Sequence, residues 1–139
     1  MRRVLFLCGG NACRSQMAEG WAGHLLKGEF HSAGLRADGL NPMAVRAMGE
    51  AGVDISRQTS KTMDMLEGDF HVVVTVCDPV RETCPYLPAL ELSIHRSFPD
   101  PPALAQALPE DRRMEPYRDV CESIREFVNT ELRRILEQP

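Results

Sequence analysis

The segment that most restricts this chain is Cys8-Gly-Gly-Asn-Ala-Cys-Arg14-Ser15, set between a buried apolar run and an amphipathic helix. Val4 to Leu7 is continuously apolar, and from Ser15 to Lys27 the residues Met17, Ala18, Trp21 and Leu25 recur at helical spacing. The order is therefore strand, tight loop, helix. Five residues separate the cysteine from the arginine, and two of them are glycine. Such a loop can curl until several N–H groups face one small concavity at a helix N-terminus, where an anion is favoured. Arg14 adds a planar fork of donors to the same place. Gly9, Gly10, Asn11, Ala12, Cys13, Arg14 and Ser15 are thus candidate oxyanion-binding residues. Cys8, at the mouth of the bowl, is the candidate nucleophile, because surroundings that hold an anion also stabilise a thiolate. Ser15 can give that thiolate a hydroxyl hydrogen bond. A Walker phosphate loop is excluded, since no Gly-Lys-Ser/Thr is present.

The alternation continues downstream. Phe30 to Ala33 reads as a weak second strand before Gly34, and Asn41-Pro42 has the cap-then-proline form of a helix start, with Val45, Met48 and Ala51 on one face and Gly52 beyond. Thr59 and Ser60 offer caps for a short helix carrying Met63 and Leu66. Phe70 to Val76 is the strongest strand signal, and its unbroken β-branched content suits a strand covered on both faces. A stretch without clear period follows from Asp78 to Leu90, then a weaker strand near Leu92 to His95, and residues 97–112 read mostly as loop. One amphipathic helix closes the chain, with Pro116 in its first turn and Tyr117, Val120, Cys121, Ile124, Phe127, Val128, Ile135 and Leu136 on one stripe. This order predicts an α/β fold, doubly wound, with a mainly four-stranded parallel sheet and helices on both faces. Such sheets take ligands beyond the carboxyl ends of their strands.

Length and composition agree with one domain over 1–139. A chain of 139 residues with 43% hydrophobic and 26% charged content can bury a single core. The net charge of −4 is not gathered into a basic patch, so neither nucleic acid nor an anionic membrane is an expected partner. Met1 to Gly10 superficially mimics a secretion signal, but its apolar part is too short, and it reads as the first buried strand. Five cysteines in a chain with an adequate core suggest reduced, catalytic or packed thiols and a cytoplasmic setting.

The loop resembles that of the low-molecular-weight protein tyrosine phosphatases. Its extension, C-x-G-N-x-C-R-S-Q-M-A-E-G over Cys8 to Gly20, resembles the thioredoxin-coupled arsenate reductases that share that fold. The likeness extends to Ser32-Ala33-Gly34, Asn41-Pro42, Asp54-Ile55-Ser56, Thr59-Ser60, the segment from Val74 through Cys77 and Cys84 to Pro85, and Asp100-Pro101. The resemblance implies a low-molecular-weight phosphatase-like fold and reduction of arsenate to arsenite by Cys8, Cys77 and Cys84. It also implies Asp100 as the acid that protonates the departing oxygen and thioredoxin as the external reductant. Cys8 would attack arsenate, Cys77 would attack Cys8 as arsenite leaves, and Cys84 would attack Cys77 to leave a Cys77–Cys84 disulfide. Phosphate and sulfate are expected analogues, and a monomer is expected.

Cys77 ends the strongest strand as Cys8 ends the first, so a parallel sheet brings both to one edge, and the spacing to Cys84 permits a small disulfide ring if the loop rearranges. Cys13 and Cys121 read as packing. No organic cofactor is implied, and the scattered histidines and cysteines do not form a metal-ligand pattern. Some members of the family hold potassium through positions matching Asn11, Glu19, Ser32, Thr59 and residue 61, where they have aspartate. Here residue 61 is lysine, whose ammonium is expected to pair with Glu19 in place of the cation. Two other functions compete. A phosphatase would use the same Cys8, Arg14 and Asp100, although Pro102 stands where phosphatases usually have an aromatic residue. A redox sensor would oxidise its thiols without turnover.

Overall fold

The computed structural model describes residues 1–138. Four parallel strands, β1 (Arg3–Cys8), β2 (Glu29–Gly34), β3 (Val72–Thr75) and β4 (Leu92–His95), form one sheet in the order β2-β1-β3-β4. Five α-helices accompany them: α1 (Arg14–Leu25), α2 (Pro42–Glu50), α3 (Pro101–Gln106), α4 (Glu115–Phe127) and α5 (Arg133–Glu137). The chain leaves β1 toward β2 on one side and then crosses to β3 on the other, so the direction of winding reverses between β1 and β3. A crevice opens at such a point, beyond the carboxyl ends of the strands. Cys8 is the last residue of β1, and Cys77 lies two residues past β3.

Alternation along β1 divides its side chains between two cores. Val4 and Phe6, with Val72 and Val74 of β3, pack with Met17, Ala18 and Trp21 of α1, Ala44 and Met48 of α2, and Val120, Ile124 and Phe127 of α4. Leu5 and Leu7 turn the other way, to Ala33, Phe70 and Val73, and are covered by Met63 and Leu66 around a 3-10 turn and by Leu87 and Ala89 of the following loop. The second face is thus closed by short helical and irregular segments, while the longer α-helices share the first.

Local chemistry accounts for the element boundaries. The Asn41 side chain caps α2, its Oδ1 accepting from the amides of Met43 at 2.8 Å and Ala44 at 3.3 Å. Gly34 ends β2 where a Cβ would come within 2.7 Å of the Gly9 carbonyl oxygen and 2.8 Å of those of Cys8 and Arg36, so only glycine permits the approach.

Four sequence expectations are corrected. The segment 97–112 is not mostly loop: α3 and a 3-10 turn over Glu110–Arg112 occupy much of it, since Pro101 and Pro102 stand in a first turn where a missing N–H costs nothing. The strand expected over 70–76 is confined to Val72–Thr75, because Phe70 turns into the second core before the ladder begins. The short helix near Met63 is a single 3-10 turn with Thr62 at its N-cap, not Thr59 or Ser60. The last helix passes through a π turn over Val128–Leu132 between α4 and α5. That wider turn shifts the buried stripe, so Leu132 is fully buried where a uniform helix would place Ile135.

Candidate active site

The loop from Cys8 to Arg14 is held by its carbonyls. Those of Gly9, Gly10 and Ala12 accept from the amides of Arg36, Asp38 and Asn41, each at 2.9 Å. The Asn11 carbonyl accepts from Ser60 Oγ at 2.9 Å and Gln16 Nε2 at 3.1 Å. Among the described residues none of the amides from Gly10 to Cys13 joins a backbone hydrogen bond, which leaves these donors for the concavity. Asn11 is the pivot of the curl. It is fully buried with φ of 48°, a left-handed conformation that asparagine tolerates better than most residues.

Asn11 also organises the nucleophile. Its Nδ2 donates to Ser15 Oγ at 2.8 Å, so the Ser15 hydroxyl hydrogen is free to point at Cys8 Sγ, 2.8 Å away. The Asn11 Oδ1 accepts from the Lys61 amide at 2.9 Å and Gln16 Nε2 at 3.0 Å. Every polar atom of the amide is therefore engaged, and the hydroxyl it orients can stabilise a thiolate.

Cys8, Gly9, Gly10, Ala12, Cys13, Arg14 and Asp100 line one cavity of about 180 Å³, together with Arg36, Asp38, Glu82 and Pro102. Arg14 is 5% exposed. Its Nη1 donates to the Phe98 carbonyl at 3.1 Å, and Asp100 Oδ1 lies 3.6 Å from its Nη2. Asp100, at the N-terminal cap position of α3, makes no capping hydrogen bond. Burial pushes its carboxyl above the usual range and the charge of Glu82 adds to the effect, while Arg14 opposes it. A carboxyl whose proton is held more firmly than usual, facing the cavity of a bound oxyanion, is better suited than a free one to donate that proton.

Ser15 and Asn11 are buried just behind the cavity wall. Cys77 and Cys84 lie outside the lining and are already joined in a disulfide, with Cα atoms 6.0 Å apart. Cys77 is fully buried in the same apolar cluster as Cys8, whereas Cys84 is half-buried at its margin. The ring expected to need a rearrangement is thus closed in this conformation. Cys13 and Cys121 remain free and buried, and burial raises the pKa of both thiols, that of Cys13 well above its ordinary range. Both sit where packing demands them: Cys13 precedes α1, and Cys121 Sγ lies 3.4 Å from Met48 Sδ.

The residues matching the family's potassium positions converge on Lys61. Its Nζ donates to the Thr59 carbonyl at 2.7 Å and lies 3.9 Å from Glu19 Oε1, while Ser32 Oγ donates to the same Glu19 oxygen at 2.6 Å. An ammonium bonded to the Thr59 carbonyl already stands beside Glu19, Asn11 Oδ1 is taken by the Lys61 amide and Gln16, and a metal cation next to the ammonium would be repelled, so the residues present do not fit a potassium ion.

Sequence reasoning did not single out Glu82, Arg36 or Asp38. Glu82 holds Arg14 through both carboxylate oxygens, and Arg36 and Asp38 form the rim over Gly9 and Gly10. The only signal was position: Glu82 stands inside the Cys77–Cys84 interval, and the other two follow Gly34.

Comparison with known proteins matches residues 3–138 to the family model described as low molecular weight phosphotyrosine protein phosphatase. The chain belongs to that family. Within it, the chain is 43% identical over 139 residues to an arsenate reductase of Shouchella clausii, covering 96% of this chain and 94% of that protein. It is 47% identical over 112 residues to an arsenate reductase of Bacillus subtilis, covering 78% and 80%. Among solved structures, an arsenate reductase in the phosphate binding state superposes with a TM-score of 0.71 at 28% identity, covering 97% of this chain and 99% of that one. The α/β class and the parallel four-stranded sheet are those of the family.

Proposed function

We propose that this protein reduces arsenate to arsenite through three thiols and is regenerated by thioredoxin. The observation that carries the reading is the adjacency of two devices. One is an oxyanion cavity holding Cys8, Arg14 and Asp100; the other is a cysteine pair, Cys77–Cys84, that closes its own disulfide beside that cavity. A phosphatase needs only the first. The arsenate reductases among its relatives favour the same reading.

Arsenate is held by the loop amides and by Arg14, whose guanidinium matches two of its oxygens. The Cys8 thiolate, steadied by Ser15, attacks arsenic and forms a sulfur–arsenic bond as one oxygen departs as water, its proton supplied by Asp100. The Cys77 thiolate then attacks Cys8 sulfur. The sulfur–arsenic bond breaks with its electron pair left on arsenic, which falls from the pentavalent to the trivalent state, and arsenite leaves. The two electrons come from the two sulfurs, now joined as Cys8–Cys77. Cys84 attacks Cys77 and releases Cys8 as a thiolate. The resulting Cys77–Cys84 disulfide is reduced by the dithiol of thioredoxin. Cys84, half-buried, is the most accessible of the three thiols, while Cys8 and Cys77 are buried, as a hand-over from a small anion to a protein requires.

A coupled assay with arsenate, thioredoxin, its reductase and NADPH tests this reading. Sustained NADPH oxidation with stoichiometric arsenite supports it. Aryl phosphate hydrolysis that persists in Cys77→Ser, with no arsenate-dependent NADPH consumption by the unmodified protein, would assign the bowl to a phosphatase. Stoichiometric thiol oxidation without turnover would assign it to a sensor.

A further inference from the structure

We infer that Glu82 is an internal competitor for the oxyanion site: with Cys77 and Cys84 joined, its carboxylate occupies Arg14, and the spent protein does not hold an oxyanion until the disulfide is reduced. The inference rests on the relay proposed above and concerns the order of its steps.

The geometry is that of a bound anion. Glu82 Oε2 accepts from Arg14 Nη1 at 2.7 Å and Oε1 accepts from Nη2, the two-pronged contact a guanidinium makes with a planar pair of oxygens. Arsenate and phosphate would present a similar pair. Arg14 is buried, and its Nη1 also donates to the Phe98 carbonyl, so its side chain has few donors to spare. An incoming oxyanion must displace the carboxylate. Glu82 also faces the cavity in which that oxyanion would sit. Two negative groups cannot share the cavity without repulsion.

The disulfide explains why the carboxylate is there. Glu82 belongs to the eight-residue ring closed by Cys77 and Cys84, whose sequence separation is 7. Inside the ring the chain makes one helical turn: the Glu82 amide donates to the Asp78 carbonyl at 2.8 Å, and Asp78 Oδ1 accepts from the Val80 amide at 3.0 Å. The Asp78 amide donates back to Glu82 Oε2 at 3.0 Å. The covalent tie and the turn together fix the carboxylate opposite Arg14, which raises its effective concentration there. Opening the disulfide frees one end of the ring and lowers that concentration. Consistently, the hydrogen bond from Arg14 holds the Glu82 carboxyl below the usual carboxylate range.

The arrangement has a chemical purpose. Once Cys84 has attacked Cys77, Cys8 is again a free thiolate, but Cys77 is unavailable. A second arsenate bound at this stage would be attacked by Cys8 and form an adduct that no thiol could resolve. A carboxylate seated on Arg14 prevents that dead end.

The test uses inorganic phosphate as probe and isothermal titration of two forms of the full chain: one with Cys77–Cys84 formed and one fully reduced and desalted, each verified by thiol count. The reduced protein is expected to bind phosphate at least about tenfold more tightly, the size of a hydrogen-bonded charge contact in competition. Glu82→Ala and Glu82→Gln, both retaining the disulfide, should raise the affinity of the oxidised form to within about twofold of the reduced one. Equal affinity of the two redox forms of the unmodified protein would overturn the inference. So would oxidised Glu82 variants that bind as weakly as the oxidised parent, since the loss would then come from the loop and not the carboxylate. Because phosphate binding needs no arsenate turnover, failure of the coupled assay with the affinity difference intact would count against the reductase reading alone.

Discussion

Replacing Asn11 by alanine should be among the most damaging single changes near the site, and its size follows from the structure. The side chain makes three buried hydrogen bonds, to Ser15 Oγ, the Lys61 amide and Gln16 Nε2. Truncation leaves the Lys61 amide without a partner and removes one hydrogen bond each from Ser15 Oγ and Gln16 Nε2, which keep Cys8 and the Asn11 and Thr59 carbonyls, at about 1 kcal/mol for each bond lost. Alanine must also adopt the φ of 48° that asparagine tolerates, for about 1 kcal/mol. The expected loss is about 3–5 kcal/mol, a fall in Tm on the order of 10–15 °C for a domain of this size. Asn11→Gly removes the same hydrogen bonds without the left-handed strain and should be destabilised by less than alanine. Urea unfolding of the reduced proteins measures both. Alkylation of Cys8 by iodoacetamide should slow in each variant, because the Ser15 hydroxyl loses the donor that orients it. An Asn11→Ala loss below about 1 kcal/mol would refute the reasoning, and alkylation at the parental rate would separate Asn11 from the nucleophile.

Other outcomes follow from the same geometry. Cys8→Ser should abolish arsenate reduction and any aryl phosphate hydrolysis together, since both need one nucleophile; residual activity in either assay would contradict that assignment. With Lys61 holding Thr59 and Glu19, thermal stability and activity should be equal in potassium and sodium salts at matched ionic strength, and Lys61→Asp should introduce a potassium dependence. A potassium-specific stabilisation of the parent would show the opposite. The folded-state pKa of Glu82 is lowered by Arg14, so its contribution to the oxidised protein is complete above the unfolded carboxylate pKa and is lost as pH falls through the folded one. Asp100, raised by burial, contributes in the reverse sense, so the comparison to make is oxidised parent against Glu82→Gln: their stability difference should shrink as the solution is acidified below about pH 4. A difference that stays constant would show that the carboxylate is not titrating against Arg14.

Much of the site was legible because it is local. The residues from Cys8 to Ser15 are contiguous, and their spacing between a buried strand and a helix sets the curl of the backbone. The cap of α2 was equally plain in Asn41-Pro42. What could not be read depended on contacts distant in sequence. Glu82 lies 68 residues from Arg14, in a stretch with no period, and nothing about a lone glutamate between two cysteines says which cation it meets. The segment holding α3 was misread because its prolines look like breakers when their position in a helix is unknown. The π turn at Val128–Leu132 leaves no mark in an apolar stripe that a regular helix would also explain. Lys61 stood out only against the family pattern, and its contact with Thr59 and approach to Glu19 came from the fold.

The relay itself is tested most directly by Cys84→Ser. The reduced variant, treated with excess arsenate, should release one arsenite per protein molecule and stop, and non-reducing peptide mapping should find Cys8 bridged to Cys77. Absence of arsenite, or a bridge that includes Cys13 or Cys121, would contradict the account.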